Sequence, residues 1–301
     1  MLRKNIYFDT GLCIKLATEI SPEERRRLSQ LISKEYTYCI SPVTIHELLN
    51  GLAGANDFEA SKKPLKILYG VGRRKFLPLP VVFVLKKLSQ EIPGGIEDFT
   101  QAKAERWLRV VLTAENKHAL LTGSVAEPGR KVGFGVNLHE SREAIDRMKR
   151  GQINRIQSLQ AGDIVPAPPV FWVNAFFRMF LSRDGTSEEL AILRDKLDIV
   201  YQLECWIWKH TSGASKLNPE RQGTLAADGL QLYYLADANN YFLTTDKDLK
   251  MKVEGSRQSS QIILWEELCA VLQRSKRNRG QTGRSRSSSP QSSEGDSALR
   301  Q

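Results

Sequence analysis

The sequence predicts an α/β fold, a central parallel sheet flanked by helices, interrupted by a long helical insertion. Three observations predict it. Short apolar strands alternate with capped helices at the start of the chain, the pattern of strands joined by helical crossovers. The same alternation returns before residue 272. Between the two stretches lie about 130 residues of a different character, several segments of which read as helices.

Taken in order, Asn5 to Asp9 (NIYFD) reads as a short buried strand ending on an acid. Ser21-Pro22-Glu23-Glu24 is a helix start, with serine as N-cap, proline in the first turn and Glu24 at the capping-box position. Tyr36 to Ile40 is a second strand, and Ser41-Pro42 opens a second helix running to Gly51 or Gly54. In the middle, Phe99 to Leu112 and Leu138 to Leu159 read as helices, Ala161 to Pro169 as a proline-rich connector, and Pro169 to Leu181 as a helix apolar nearly all round, hence buried. Thr186-Ser187-Glu188-Glu189 is a second capping box, opening one long helix through about Lys209. Asp228 to Ala238 reads as a helix, Tyr241 to Thr245 as a strand, Gln261 to Leu264 as a last strand and Trp265 to Leu272 as a closing helix. Arg274 onwards is Ser, Arg, Gly and Gln with almost nothing apolar, so a disordered tail is expected.

Composition excludes some functions. No apolar stretch reaches the ~18 residues of a membrane helix, and no apolar leader follows Met1-Leu2-Arg3-Lys4; a cytoplasmic protein without membrane contact is expected. Cys13, Cys39, Cys205 and Cys269 form no CxxC pair, and His46, His118, His139 and His210 offer no zinc spacing. The net charge of +10 is concentrated in two places. Residues 273–301 hold seven Lys/Arg and two Asp/Glu, a net +5, and Lys62 to Lys87 hold eight basic residues and no acid. Basic runs of this kind point to a polyanionic partner, and a solvated charged face is the alternative.

Four acids stand out by position. Asp9 ends the first strand, Glu47 lies in the helix after the second, Asp228 opens the helix before the strand at residue 241, and Asp246 follows that strand directly. In a parallel sheet, strand C-termini and the helix starts after them meet along one edge, where ligands bind. Carboxylates converging there repel unless a cation lies among them, and hard oxygen donors suit Mg²⁺ or Mn²⁺. Each acid taken alone also reads as a helix cap or dipole partner. Thr10 and Thr244 are candidates to orient ligands or water, with a backbone hydrogen bond as the alternative; Asp248 reads as a supporting acid or an exposed turn residue.

At this point the chain resembles the PIN nuclease family. Ile6-Tyr7-Phe8-Asp9-Thr10 is similar to the family's first motif, and Ser41 to Leu49 to the second, with Glu47 on the helix. Ala227-Asp228 through Ala236 is similar to the third, and Leu243-Thr244-Thr245-Asp246 with Asp248-Leu249 to the fourth. The resemblance covers roughly residues 1–55 and 186–272. Gly11 departs from it, standing where the family often carries a small polar residue, and so does the long middle segment. The resemblance implies a three-layer PIN-like sandwich over residues 1–272, with its core at about 1–57 and 184–272, an insertion at about 58–183, and the tail from 273. It also implies a ribonuclease hydrolysing single-stranded RNA, with Asp9, Glu47, Asp228 and Asp246 as catalytic metal ligands for Mg²⁺ or Mn²⁺. Toxin-type relatives bring a small antitoxin protein as an expected partner. The alternative is a catalytically inactive PIN-like nucleic-acid-binding or scaffold protein. An acidic pocket repels RNA, so Arg73, Arg74 and Lys75, read as an exposed loop, are expected to wall the substrate groove.

Overall fold

The computed structural model describes residues 3–71, 74–93, 101–127, 130–162, 170–211 and 217–271. The tail from 273 and the connector proline run therefore lie outside the described residues. The chain divides into two compact units, Met1–Leu264 and Trp265–Gln301. In the second, 265–271 is helical, with Trp265 and Leu268 buried.

The first unit opens with β1 (Lys4–Phe8), α1 (Thr10–Thr18), α2 (Pro22–Glu35), β2 (Tyr36–Ile40), α3 (Pro42–Gly54), α4 (Phe58–Gly70), β3 (Arg74–Phe76) and α5 (Pro80–Lys87). The middle comprises α6 (Gln101–Thr113), α7 (Lys117–Thr122), an antiparallel hairpin of β4 (Ser124–Glu127) and β5 (Arg130–Gly133), α8 (Phe134–Ala161) and α9 (Val170–Leu181). The chain continues through α10 (Ser187–Lys196), α11 (Asp198–Thr211), α12 (Pro219–Gln222), α13 (Leu225–Leu232), a 3₁₀ turn (Tyr233–Ala236), β6 (Asn240–Thr244), α14 (Lys247–Lys252) and β7 (Ile262–Leu264).

The sheet is wholly parallel, in the order β3-β2-β1-β6-β7. Tyr7 is level with Cys39 on one side and Phe242 on the other, and Phe242 with Ile262. This rung faces a core built with α5, α11, α13 and α14, in which Tyr7 stacks on Phe242 at 5.0 Å between ring centroids and meets Tyr234 edge-on. Alternation turns Ile6, Phe8, Tyr38 and Ile40 to the opposite face, where they are buried as well. Burial on both faces explains why these strands read as continuous apolar runs rather than alternating ones. The expected α/β sheet with helical cover is present.

The capping boxes form as read, Ser21 with Glu24 and Thr186 with Glu189. The helix expected from Thr186 to about Lys209 is instead two, broken at Leu197, where Asp198 opens α11 and the Gln258 side chain accepts from Ile199 N. The helix read from Asp228 to Ala238 tightens into a 3₁₀ turn after Leu232, and α13 begins three residues earlier. Pro169–Leu181 is helical from Val170, with Phe176 and Phe177 buried but Met179 70% exposed, so it is not buried all round.

The largest correction concerns the insertion. Segment 58–183 contains β3, an edge strand of the main sheet, and α5, whose Phe83 packs edge-on against Tyr234 of the core. Arg74 and Lys75 are therefore strand residues, level with Tyr38 and Cys39, rather than a loop. Backbone pairing overrode the local Gly and Pro signals, because the sheet needed a partner for β2. Material outside the sheet framework begins only after α5. Its long helix α8, ended at Gly162 in the left-handed conformation (φ 81°), packs on α3 and α13.

Candidate functional site

The strand order reverses at β1, whose neighbours are β2 and β6, so the C-terminal ends of β1 and β6 flank the topological switch point, where α/β sheets bind ligands. Asp9 follows β1 and Asp246 follows Thr245 after β6. Both double as helix caps. Asp9 Oδ1 accepts from Leu12 N at 2.5 Å, and Asp246 Oδ1 from Leu249 N at 2.8 Å. Capping needs a short acceptor at the first turn, which fixes both carboxylates at the sheet edge.

Thr244 joins the two strand ends. Its hydroxyl donates to Asp9 Oδ2 and accepts from Asp246 N at 2.9 Å, and Thr245 N also points at Asp9 Oδ2 at 3.4 Å. Thr10 donates to Glu47 Oε2 at 2.6 Å. Both threonines thus orient carboxylates. The backbone role falls to Thr44, which donates to Phe8 O at 2.8 Å and accepts from Gln231 Nε2 at 2.8 Å, while Tyr7 Oη donates to Gln231 O at 2.8 Å. This buried chain ties together β1, α3 and α13, the elements carrying or leading into Asp9, Glu47 and Asp228.

The electrostatics show which acids share a space. Burial raises the Asp9 carboxyl above its ordinary value, its hydrogen bonds to Thr244, Leu12 and Thr245 offset part of that, and Asp246 adds repulsion. Burial also raises Glu47, eased by the Thr10 hydroxyl and the Lys149 ammonium, with Asp9 opposing. Asp228 is pushed up to about 8, by burial first and then by the charges of Glu47, Asp246 and Asp9, with only Lys252 easing it. Asp228 therefore lies within the field of the other three predicted acids, and Asp9 within that of Asp246. Among the described residues, however, no three Asp, Glu, His or Cys side chains form a group arranged to hold a metal ion. The acids act on one another electrostatically, but no closed coordination set is present among the described residues. Asp9 spends both oxygens on protein donors.

Comparison with family models, curated proteins and solved structures returns no match.

The remaining sequence candidates divide. Asp248 is exposed in the first turn of α14. Gly11 lies against the site, where a Cβ would be 3.2 Å from Thr245 Oγ1 and 3.6 Å from Asp9 Oδ2. Arg73 lies outside the described residues. Arg74 is half-buried, its guanidinium 3.5 Å from the Tyr69 ring centroid and donating to Tyr69 O at 2.9 Å. Lys75 is exposed in β3, which enters the sheet from the edge opposite the acids. The expected wall is thus not an exposed loop: Arg74 and Lys75 lie in the edge strand β3, level with Tyr38 and Cys39 and two strands from β1. Elsewhere in the basic segment, Lys62 is buried against Glu59 and Ala114 O, and Lys87 pairs with Asp237.

The cations that do reach the acids, Lys149 and Lys252, escaped the sequence reading. A signal existed for Lys149. Leu138, Ser141, Ile145, Gln152 and Ile156 are the buried stripe of α8, and Lys149 lies on it four residues past Ile145, where an apolar residue would be expected.

Proposed function

We propose that this chain is a metal-dependent phosphodiesterase of PIN type, an endoribonuclease acting on single-stranded RNA, with Asp9, Glu47, Asp228 and Asp246 as its acidic centre. The observation that carries the reading is the convergence of these acids at the switch point of a five-stranded parallel sheet, where burial first, and then the charges of Glu47, Asp246 and Asp9, push Asp228 up to about 8. Its carboxylate accepts no hydrogen bond from any described residue, so excess negative charge meets a free oxygen donor there. That donor chemistry fits a hard divalent cation such as Mg²⁺ or Mn²⁺. The four acids would hold it, and when bound it supplies Lewis-acid stabilisation of phosphoryl charge and a more acidic water.

The protein's own part is positioning. Thr244 and Thr10 hold Asp9 and Glu47 in fixed rotamers, and Asp246 is fixed by capping α14. Asp228, without such a donor, holds a proton on its carboxyl near neutral pH until positive charge enters the pocket. A second reading, an inactive PIN-like binding protein, draws support from the lack of a ready-made ligand group among the described residues. Cleavage of a labelled single-stranded RNA separates the two. The first reading gives Mg²⁺- or Mn²⁺-dependent cleavage abolished by chelation, and the second gives binding without cleavage. A toxin–antitoxin setting belongs to this proposal only as context, to be tested by co-purification of a small partner protein.

A further inference from the structure

A pocket of four acids cannot hold RNA unaided, because its field repels phosphate. Of the expected cationic wall, Arg74 is stacked on Tyr69 and Lys75 lies in the edge strand β3. Most other basic side chains whose contacts are described are spoken for: Lys62 and Lys66 by Glu59, Lys87 by Asp237, Arg142 by Asp146, Arg155 by Glu204, Arg183 by Glu189. Lys149 and Lys252 make no ion pair with any described residue.

We propose that Lys149 of α8 and Lys252 of α14 form a two-sided grip for backbone phosphates of the RNA strand, set on either side of the acidic centre. The inference rests on the nuclease reading and adds the residues that hold its substrate. α8 packs against both α3, which bears Glu47, and α13, which bears Asp228. Its register is pinned by Ser141 Oγ, 2.6 Å from His46 Nδ1 beside Glu47. Lys149, two turns further along the same stripe, is half-buried, and its charge acts on Glu47. Lys252 closes α14, the helix that Asp246 begins, and its ammonium lies 4.9 Å from the Trp206 ring centroid on α11. α11 in turn packs beside Asp228, since a Cβ on Gly229 would meet Leu203 at 3.7 Å. The two cations thus come from different helices, and each tempers a different acid, Lys149 acting on Glu47 and Lys252 on Asp228. One belongs to the chain's added helix and one to the sheet framework, so the middle segment completes the site rather than decorating it.

The test uses the full chain carrying Asp9→Asn, which leaves the strand uncut, and a fluorescent 12-nucleotide single-stranded RNA read by anisotropy across a salt series with Mg²⁺ present. Lys149→Met and Lys252→Met should each weaken binding about 5-fold at 0.1 M salt and lower the slope of log K against log salt by about 0.7, the single-strand value for one lost phosphate contact. The double variant should lose about 25-fold, and Lys→Arg at either position should restore both affinity and slope. Trp206→Leu, which frees Lys252, should weaken binding while leaving the slope intact. Unchanged affinity and slope in the Met variants would overturn the grip and leave these lysines as counter-charges for the acids. RNA binding that shows these losses in a chain that never cleaves RNA would keep the grip and reject the nuclease. Cleavage that is indifferent to both Met variants would do the reverse.

Discussion

Asp228→Asn should make the metal-free protein more stable at alkaline pH. A carboxyl held at about 8 in the folded chain, against an ordinary value of 3.8, binds its proton more tightly when folded. Stability is therefore fullest below pH 4 and falls as pH rises toward 8. At 1.36 kcal/mol per tenfold change in proton affinity, the whole displacement would amount to about 6 kcal/mol. Asp228 is only half-buried, and water screening reduces this to about 2 kcal/mol. Asparagine has the same shape and no charge, so the variant escapes the loss. In a chain of this size about 2 kcal/mol corresponds to about 3 °C in Tm. Thermal or urea unfolding in EDTA from pH 5 to 8.5 gives the comparison: wild type should lose stability across the range and the variant should stay nearly level. Mn²⁺ at pH 8 should raise the wild-type Tm and leave the variant's nearly fixed. Parallel pH profiles for the two proteins would refute the reasoning, because the folded chain would then not hold the Asp228 carboxyl above its ordinary value through burial and the neighbouring acids.

Other expectations follow from the same geometry. Thr44→Val removes the donor to Phe8 O and the acceptor for Gln231 Nε2, so chemical denaturation should show a loss of about 1–3 kcal/mol; a loss under 0.5 kcal/mol would mean water replaces the hydroxyl. Thr244→Val should cut the cleavage rate about 10- to 100-fold by releasing Asp9, in line with the cost of removing a group that supports a ligand, and kcat rather than KM should move. His46, buried and held to about 4 with Lys103 opposing its charge, stays neutral in the fold, so stability should drop as pH falls from about 6.5 toward 4. A His46→Asn variant should lose that part of the acid slope in urea titrations, and an unchanged slope would place the effect elsewhere.

The legible parts of the sequence were those where local chemistry and tertiary demand agree. Ser21 and Thr186 start helices through capping boxes, Tyr36 to Ile40 is β2 as read, and the acids at strand ends reach one edge because parallel topology leaves them nowhere else. α1 was hidden because its first cap, Asp9, was read only as a site acid, although it also accepts from Leu12 N. β3 was hidden because three residues carry too little periodicity, and Arg74 is half-buried by stacking on Tyr69 rather than by apolarity. Lys149 and Lys252 could be located only once α8 and α14 were docked. Charge totals pointed to a basic segment in which Lys62, Lys66, Arg74 and Lys87 are held by protein partners, whereas the two cations acting on the acids are single residues on otherwise ordinary helices.

The most direct measurement of the central claim is cleavage of a labelled single-stranded RNA by wild type, Asp9→Asn and Asp246→Asn, each with Mn²⁺ and with EDTA. Asparagine keeps both helix caps, so the two variants should match the wild-type circular dichroism spectrum. Wild type should cleave with Mn²⁺ only, and both variants should fall by at least about 100-fold, as for loss of a group that binds a catalytic metal. Cleavage by both folded variants at the wild-type rate, or wild-type cleavage that persists in EDTA, would contradict an acidic metal centre at the end of β1 and β6.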